Sequence, residues 1–516
     1  MEKVDKETFN AVCKAATSFK IKNLLENQKV ILNSGRISPL ELDSIIDKIY
    51  DIELQKQRIL LLIKRNGFLS VPEIIENTEF TEFEVYKALG ELMGDNLIDI
   101  KQGTSELSFK PKIIISKENG NIFLKLTSSK TYRVPLEPIT PIVEKELCCG
   151  CGACFSICPV NAITMGEIPS VDENKCIHCG LCWASCPRTF LHINVLKGYM
   201  NERKVDFIKE LKADPIGPNI TVVSAQTKDE AIKKVAQDGG VATTLLAYLF
   251  DKNLIDGAIG VVQKEGEPWN TQPILIKNKS DAIKAAGTIY SVASNLSALN
   301  LIKTSGLKSI AFVGTPCQVQ AMRKYQVMSN IMSEIWGNIK YIIGIFCMES
   351  FPYPNLIKIV EEHCKTQLTE TTKMNIDKGK FFVHRKEGEP IEVPIKEVAK
   401  YARHACHLCV DLTNELSDIS SGSIGSPGGW NTVITRTIIG EELFQNTLKD
   451  GYLTTKEIEK EKPFGIKLLK KLSNGKRDRN LKSLQKQIDK KKLEITTSYY
   501  LSMKDFIQKD EETKDS

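Results

Sequence analysis

Between Cys148 and Pro187 the chain carries one cysteine pattern twice: Cys148, Cys151, Cys154, Cys158 and Pro159, then Cys176, Cys179, Cys182, Cys186 and Pro187. A cubane 4Fe–4S cluster needs four thiolates converging on a small sphere. Two-residue spacers wrap the backbone around three iron corners, and the fourth cysteine of each run reaches the other cluster. The spacing therefore assigns Cys148, Cys151, Cys154 and Cys186 to one cluster, and Cys176, Cys179, Cys182 and Cys158 to a second. An exact duplication of eight cysteines and two prolines argues against a disulfide framework or a pair of zinc sites.

The elements that must present these thiolates are short. Pro159 and Pro187 end each brief helix, and Gly150, Gly152 and Gly180 let backbone N–H groups approach the cluster with no Cβ in the way. This is the spacing of bacterial ferredoxins, so residues 141–200 are expected to form a ferredoxin-like domain with two 4Fe–4S clusters. Cys149 falls off the pattern and reads as a buried bystander thiol.

The chain has 516 residues, enough for three or more domains rather than one core. Fifteen cysteines in a chain whose amino terminus lacks a signal peptide point to redox or metal work in a reducing compartment, so a cytoplasmic location is expected. No apolar run approaches the about 18 residues of a membrane span. The net charge of +6 hides a local surplus: residues 462–492 hold twelve Lys or Arg against Asp478 and Asp489.

Residues 1–112 read as a helical, winged-helix-like domain, with helices over 57–65, 71–77 and 81–94 and a hairpin wing over 98–109. Its charge argues against nucleic acid. The third helix carries Glu82, Glu84, Glu91 and Asp95 against Lys87, and residues 1–112 hold 16 basic and 18 acidic side chains. Residues 113–140 read as a hairpin turning at Asn119-Gly120, followed by a connector stiffened by Pro135 and Pro138.

From about residue 215 to 450 apolar strands alternate with helices, giving a multidomain α+β chain whose largest part is a mixed α/β domain. Three of its loops can bring backbone N–H groups to a ligand. They are Gln237-Asp238-Gly239-Gly240 running to Thr243, Gly314-Thr315-Pro316-Cys317-Gln318, and Gly425-Ser426-Pro427-Gly428-Gly429. Residues 451–516 read as a basic helical tail, its lysines either a solvated face or an attraction for an acidic partner or anionic coenzyme.

In this order the three loops resemble the family of coenzyme F420 hydrogenase/dehydrogenase beta subunits over about residues 141–490. So do Gly344-Ile345-Phe346-Cys347-Met348-Glu349, Cys406-His407-Leu408-Cys409 and residues 418–427. The resemblance implies an FAD contacted by Gln237, Asp238, Gly239, Gly240, Thr243, Gly314, Thr315, Gln318, Gly425 and Ser426. It also implies a third 4Fe–4S cluster on Cys317, Cys347, Cys406 and Cys409. The residues support that third cluster: Cys406-x2-Cys409 supplies two ligands from one turn, while Cys317 and Cys347 each follow a strand end. Two positions depart from the family. Ile289 stands where a lysine is common and Gly428 where an acidic residue is common, which leaves the hydride donor open.

The implied activity is an oxidoreductase subunit that exchanges a hydride with coenzyme F420, in either direction. It passes single electrons through FAD and three clusters to another redox subunit or a ferredoxin-like acceptor. No residue is required as a strong acid or base; Asp238 and Glu349 are the candidates for assisting a proton. Alternatives are a flavin and iron–sulfur reductase acting on a different two-electron substrate, and a redox-sensing winged-helix regulator.

Overall fold

The computed structural model describes residues 138–144, 146–176, 181–189, 214–303, 305–327, 338–458 and 465–489, with Leu196, Met200 and a discontinuous set between 54 and 126. The chain divides into two units, residues 1–134 with 327–332, and residues 135–326 with 333–516.

In the first unit Ser70 caps the helix Val71–Glu76. Its backbone N–H donates to Glu73 Oε2 at 2.6 Å, and Glu73 N–H donates back to Ser70 Oγ at 3.4 Å. Thr81 and Glu84 make the same reciprocal pair, at 2.7 and 3.3 Å. Strand Ser108–Pro111 pairs antiparallel with both Ile98–Lys101 and Leu69–Ser70. Of the expected third helix, Val85, Ala88, Leu89 and Leu92 are buried. The tip of the expected wing, residues 102–107, and the part of the expected helical domain before residue 54 lie outside the described residues. Strands Ile113–Glu118 and Asn121–Leu126 pair antiparallel, as the hairpin reading expected.

The second unit is built on a mixed sheet of eight strands. In chain order they are β1 (Thr221–Thr227), β2 (Gly257–Lys264), β3 (Glu267–Ile276), β4 (Ile310–Gly314), β5 (Ile339–Ile345), β6 (Ile419–Gly422), β7 (Asn431–Thr435) and β8 (Leu453–Glu457). Their spatial order is β3-β2-β4-β5-β6-β7-β1-β8. Strands β2, β4, β5 and β6 are mutually parallel. Antiparallel β7 joins β6 to β1, which therefore runs with the parallel set.

The central strands read Ile-Ala-Phe-Val-Gly and Ile-Lys-Tyr-Ile-Ile-Gly-Ile because parallel strands in such a fold are covered on both faces. Helices α1 (Val241–Asp251) and α3 (Ile438–Lys449) cover one face, packing Leu245, Leu249 and Phe444 on Ile343, Ile419 and Val433. Successive strand residues point to opposite faces, so Ile434 packs on the other side, against Leu412 and Leu469 of α4 (Ile466–Asp489). The expected boundary at residue 450 therefore moves. Residues 453–457 supply an edge strand, and the basic segment beyond them belongs to the core rather than to a separate tail. A smaller antiparallel sheet of residues 371–377, 380–385 and 391–394 closes over Trp269, Phe351 and Phe381.

The ferredoxin-like module lies in this same unit, docked on helix α2 (Pro316–Val327) and the segment 294–303. Leu296 N–H donates to the Cys151 carbonyl at 2.9 Å, Gln320 Nε2 to Pro187 O at 3.0 Å and Lys303 Nζ to Ser156 O at 2.6 Å. The hydroxyls of Tyr325 and Ser156 meet at 3.2 Å. Among the described residues no helix is long and apolar enough to cross a membrane.

Asp418 pins the sheet to α2. Its carboxylate accepts from Arg323 at 2.8 Å, Thr437 Oγ1 at 2.9 Å and Ile342 N–H at 2.8 Å, and both members of the ion pair are buried. Asp418→Ala leaves a buried guanidinium uncompensated. The expected loss is about 3–5 kcal/mol, seen as a lower urea midpoint, with Asp418→Asn losing less. Equal midpoints for Asp418→Ala and the parent would contradict this.

Candidate functional site

The two short helices of the module, Ala153–Ile157 and Leu181–Ser185, pack against each other. Three backbone N–H groups aim at cysteine sulfurs: Gly150 at Cys148 (3.3 Å), Ala162 at Cys158 (3.2 Å) and Arg188 at Cys186 (3.4 Å). Such donors favour a thiolate or an anionic cluster. Burial pushes the Cys154 thiol well above its usual range, with Cys148, Cys186 and Cys182 adding to the effect. Cys186 is pushed up to about 12, chiefly by burial, against the pull of Lys324. Cys186 thus lies near Cys148 and Cys154, and Cys182 of the other expected set lies near Cys154 as well. Cys158 and Cys176 are partly exposed, and Cys179 lies outside the described residues.

The four cysteines expected to hold the third cluster come from three separate segments. Cys317 opens α2 directly after β4, Cys347 follows β5, and Cys406 and Cys409 bracket one turn of 3-10 helix. Burial raises Cys347 and Cys406, the latter to about 11; Cys406, Cys317 and Cys409 raise Cys347 further, and Cys317 and Cys409 raise Cys406 further. All four thus stand within electrostatic reach of one another around Cys347. Among the described residues no three His, Cys, Asp or Glu side chains are grouped as a single ion would require. A cubane demands less closeness, because each thiolate binds a different iron. The Cys149 thiol is buried, as expected, and has Cys151 and Cys317 as its interacting neighbours, which puts it beside a member of each set. Arg188, also buried, lies by Cys148 and Cys317 and donates to the Ala405 carbonyl at 2.9 Å. The third set of cysteines is therefore the neighbour of the Cys148 set.

Several side chains at this site were invisible as site residues in the sequence. Lys476 is 2% exposed and donates to Cys347 O at 2.6 Å and Asp411 O at 2.7 Å. Burial disfavours its charge, yet Cys409, Cys347, Cys406 and Asp411 hold its pKa above the usual lysine value. Asn480 gives its amide to Cys406 O at 2.9 Å and Cys409 O at 2.6 Å, and Arg477 pairs with Glu415 in the interior at 2.7 Å. On the module side, fully buried Lys324 donates to Cys186 O and to Thr189 O at 3.3 Å; burial lowers its pKa to about 7. The available signal was spacing: 469, 473, 476, 480 and 484 form one buried stripe of α4, with polar residues in its middle.

The three ligand-type loops all lie at the carboxyl ends of the parallel strands, where open α/β sheets bind ligands. Asp238 accepts a hydrogen bond from Ser423, and Val241 N–H donates to Asn431 Oδ1 at 3.3 Å, so the first and third loops meet. Gly239 is pressed so close to Ala225 O and Asn431 N that a Cβ would sit 2.6 Å from each. Gln237 donates to Met374 O at 3.1 Å, and half-buried Thr243 stands in the first turn of α1. Gln318 holds Thr315 N–H and Ala293 O, both at 2.8 Å, so its amide shapes the Gly314-Thr315 loop. Asn414 Nδ2 donates to Gly314 O at 2.8 Å. Ser426 bridges Ser224 and Thr432 at 2.7 and 2.8 Å below Gly425, whose φ is +98°. Gly428 faces open space. Glu349 is paired with Arg479 at 3.0 Å.

Residues 222–300 and 307–461 match the family models described as the N-term and the C terminus of the coenzyme F420 hydrogenase/dehydrogenase beta subunit, and residues 147–190 match the 4Fe–4S dicluster domain. The chain is 41% identical to coenzyme F420 hydrogenase subunit beta of Methanosarcina barkeri over 277 residues, covering 53% of this chain and 94% of that one. The chain belongs to the family of coenzyme F420 hydrogenase/dehydrogenase beta subunits. Members of this family are oxidoreductases, and this one carries an iron–sulfur domain. Also similar are a subunit of the F(420)H(2) dehydrogenase of Methanosarcina mazei (33%, 67% of this chain, 94% of the relative) and the coenzyme F420-dependent sulfite reductase of Methanocaldococcus jannaschii (32%, 66% and 52%). A solved structure of the F420-reducing [NiFe] hydrogenase complex from Methanosarcina barkeri contains a chain that aligns with TM-score 0.51 and 40% identity, over 53% of this chain and 94% of that one.

Proposed function

We propose that this beta-subunit relative exchanges a hydride with coenzyme F420 and passes single electrons through FAD and three 4Fe–4S clusters to a partner redox subunit. The observation that carries the reading is the meeting of two cysteine sets. Cys317, Cys406 and Cys409 all act on Cys347 in the interior, and Cys149 interacts with both Cys317 and Cys151 of the neighbouring set. Two separate metal sites would have no need of that adjacency; a relay would.

The donor sets fit the groups. Cys148, Cys151, Cys154 and Cys186 would hold one cluster, Cys158, Cys176, Cys179 and Cys182 a second, and Cys317, Cys347, Cys406 and Cys409 a third. Gln237 to Gly240, Thr243, Gly314, Thr315, Gly425 and Ser426 offer a ring-binding cleft at the sheet end, with Gln318 and Asn414 fixing its floor. Bound there, a flavin supplies exchange between paired and single electrons. The chain's own residues orient and shield: Ser423 holds the Asp238 carboxylate at the cleft, and the small sheet of residues 371–394 packs on half-buried Tyr290 beside it. Pairing with Arg479 leaves Glu349 a structural post. A cytoplasmic location and partner subunits like those of the F420 hydrogenase complex go with this reading.

Anaerobic mixing of the loaded protein with reduced F420, and separately with NADH, tests it. Bleaching of flavin and cluster absorbance by reduced F420 alone is the expected result. Response only to NADH favours a reductase for another two-electron substrate, consistent with Ile289 and Gly428, and response to neither overturns the proposal.

A further inference from the structure

Helix α4 drives a lysine into the interior beside four cysteines, which is costly unless the charge has a task. Lys476 Nζ caps the carbonyls of Cys347 and Asp411, while Asn480, one turn on, caps those of Cys406 and Cys409. Ser473 anchors the same stretch to Pro215 O, and Arg477 is locked to Glu415, so the ammonium has no freedom to leave. The two carbonyls need donors, but a neutral amide would serve; Asn480 does so nearby. What a lysine adds is a fixed positive charge.

We propose that Lys476 is a positioning residue that sets the reduction potential of a cluster on Cys317, Cys347, Cys406 and Cys409, its buried charge favouring the form that holds one more electron. The inference rests on the third-cluster reading above. In a low-dielectric interior a unit charge at such range acts strongly on another, and charge and hydrogen bonding around the sulfurs are established levers on cluster potential.

The test is a redox titration followed by EPR on full-length protein loaded anaerobically, comparing wild type with Lys476→Gln, which keeps a donor but no charge, and Lys476→Arg, which keeps both. Lys476→Gln is expected to make the third cluster harder to reduce by at least about tenfold in equilibrium, about 59 mV for one electron. Lys476→Arg should stay near wild type. An unchanged potential in a loaded Lys476→Gln protein overturns the proposal while leaving the third cluster in place. Loss of the cluster from both variants assigns Lys476 a purely structural post and also overturns it, whereas loss from Lys476→Gln alone, with Lys476→Arg loaded at the wild-type potential, supports it. Failure of wild type itself to show a third cluster sinks the reading on which the proposal stands, and is recognised by iron analysis before any variant is made.

Discussion

Cys347→Ser is expected to yield a folded protein with about eight irons in place of about twelve, the same ferredoxin-type signals as wild type, and almost no electron delivery beyond the flavin. Cys347 stands at the centre of its set, interacting with Cys317, Cys406 and Cys409, and follows the buried strand β5, which does not shift to offer another ligand. A serine hydroxyl is far more reluctant than a thiol to ionise and bind iron in such a place. The fall in turnover with an artificial acceptor should exceed the about 10–100-fold typical of losing an outer-shell partner. Iron analysis, EPR and stopped-flow absorbance check the three parts together. A variant that keeps about twelve irons removes Cys347 from the ligand set.

The second large effect falls on the docking of the ferredoxin-like module. Gly152 has φ +85°, and a Cβ there would lie 2.7 Å from Ser297 N and 2.8 Å from Ser294 O. Those atoms are backbone in a segment already bonded to the module through Leu296 N–H, so they do not swing aside as a side chain would. Gly152→Val combines a left-handed backbone cost of about 1–2 kcal/mol with overpacking of about 1–3 kcal/mol. Against a typical total of about 5–15 kcal/mol this is a large share of the stability that holds the module in place. The expected signs are a lower denaturant midpoint and loss of iron from the Cys148 set. An unchanged midpoint shows that residues 294–297 yield freely.

The 4Fe–4S dicluster domain was legible because its cysteine pattern is local, with two- and three-residue spacers repeated in one short segment. The parallel strands were legible for a related reason, since burial on both faces leaves an unbroken apolar run such as Ile310–Gly314. The α4 segment was not. Twelve basic residues between 462 and 492 read as a solvated face, and residue type alone does not distinguish a lysine that snorkels to water from one held inside.

By itself, then, the sequence determined that a duplicated 4Fe–4S cysteine pattern is present, that an α/β domain follows it, and that this domain carries three glycine-rich loops. Only the tertiary structure decided that Cys149 joins two cysteine sets, that residues 453–457 complete the sheet, and that Lys476 and Asn480 cap the carbonyls of Cys347, Cys406 and Cys409. The physical reason is distance along the chain. The Lys476 and Asn480 contacts with these cysteines alone span 71 to 129 residues; such contacts are chosen by packing many surfaces at once, and no short-range pattern of residue types encodes them.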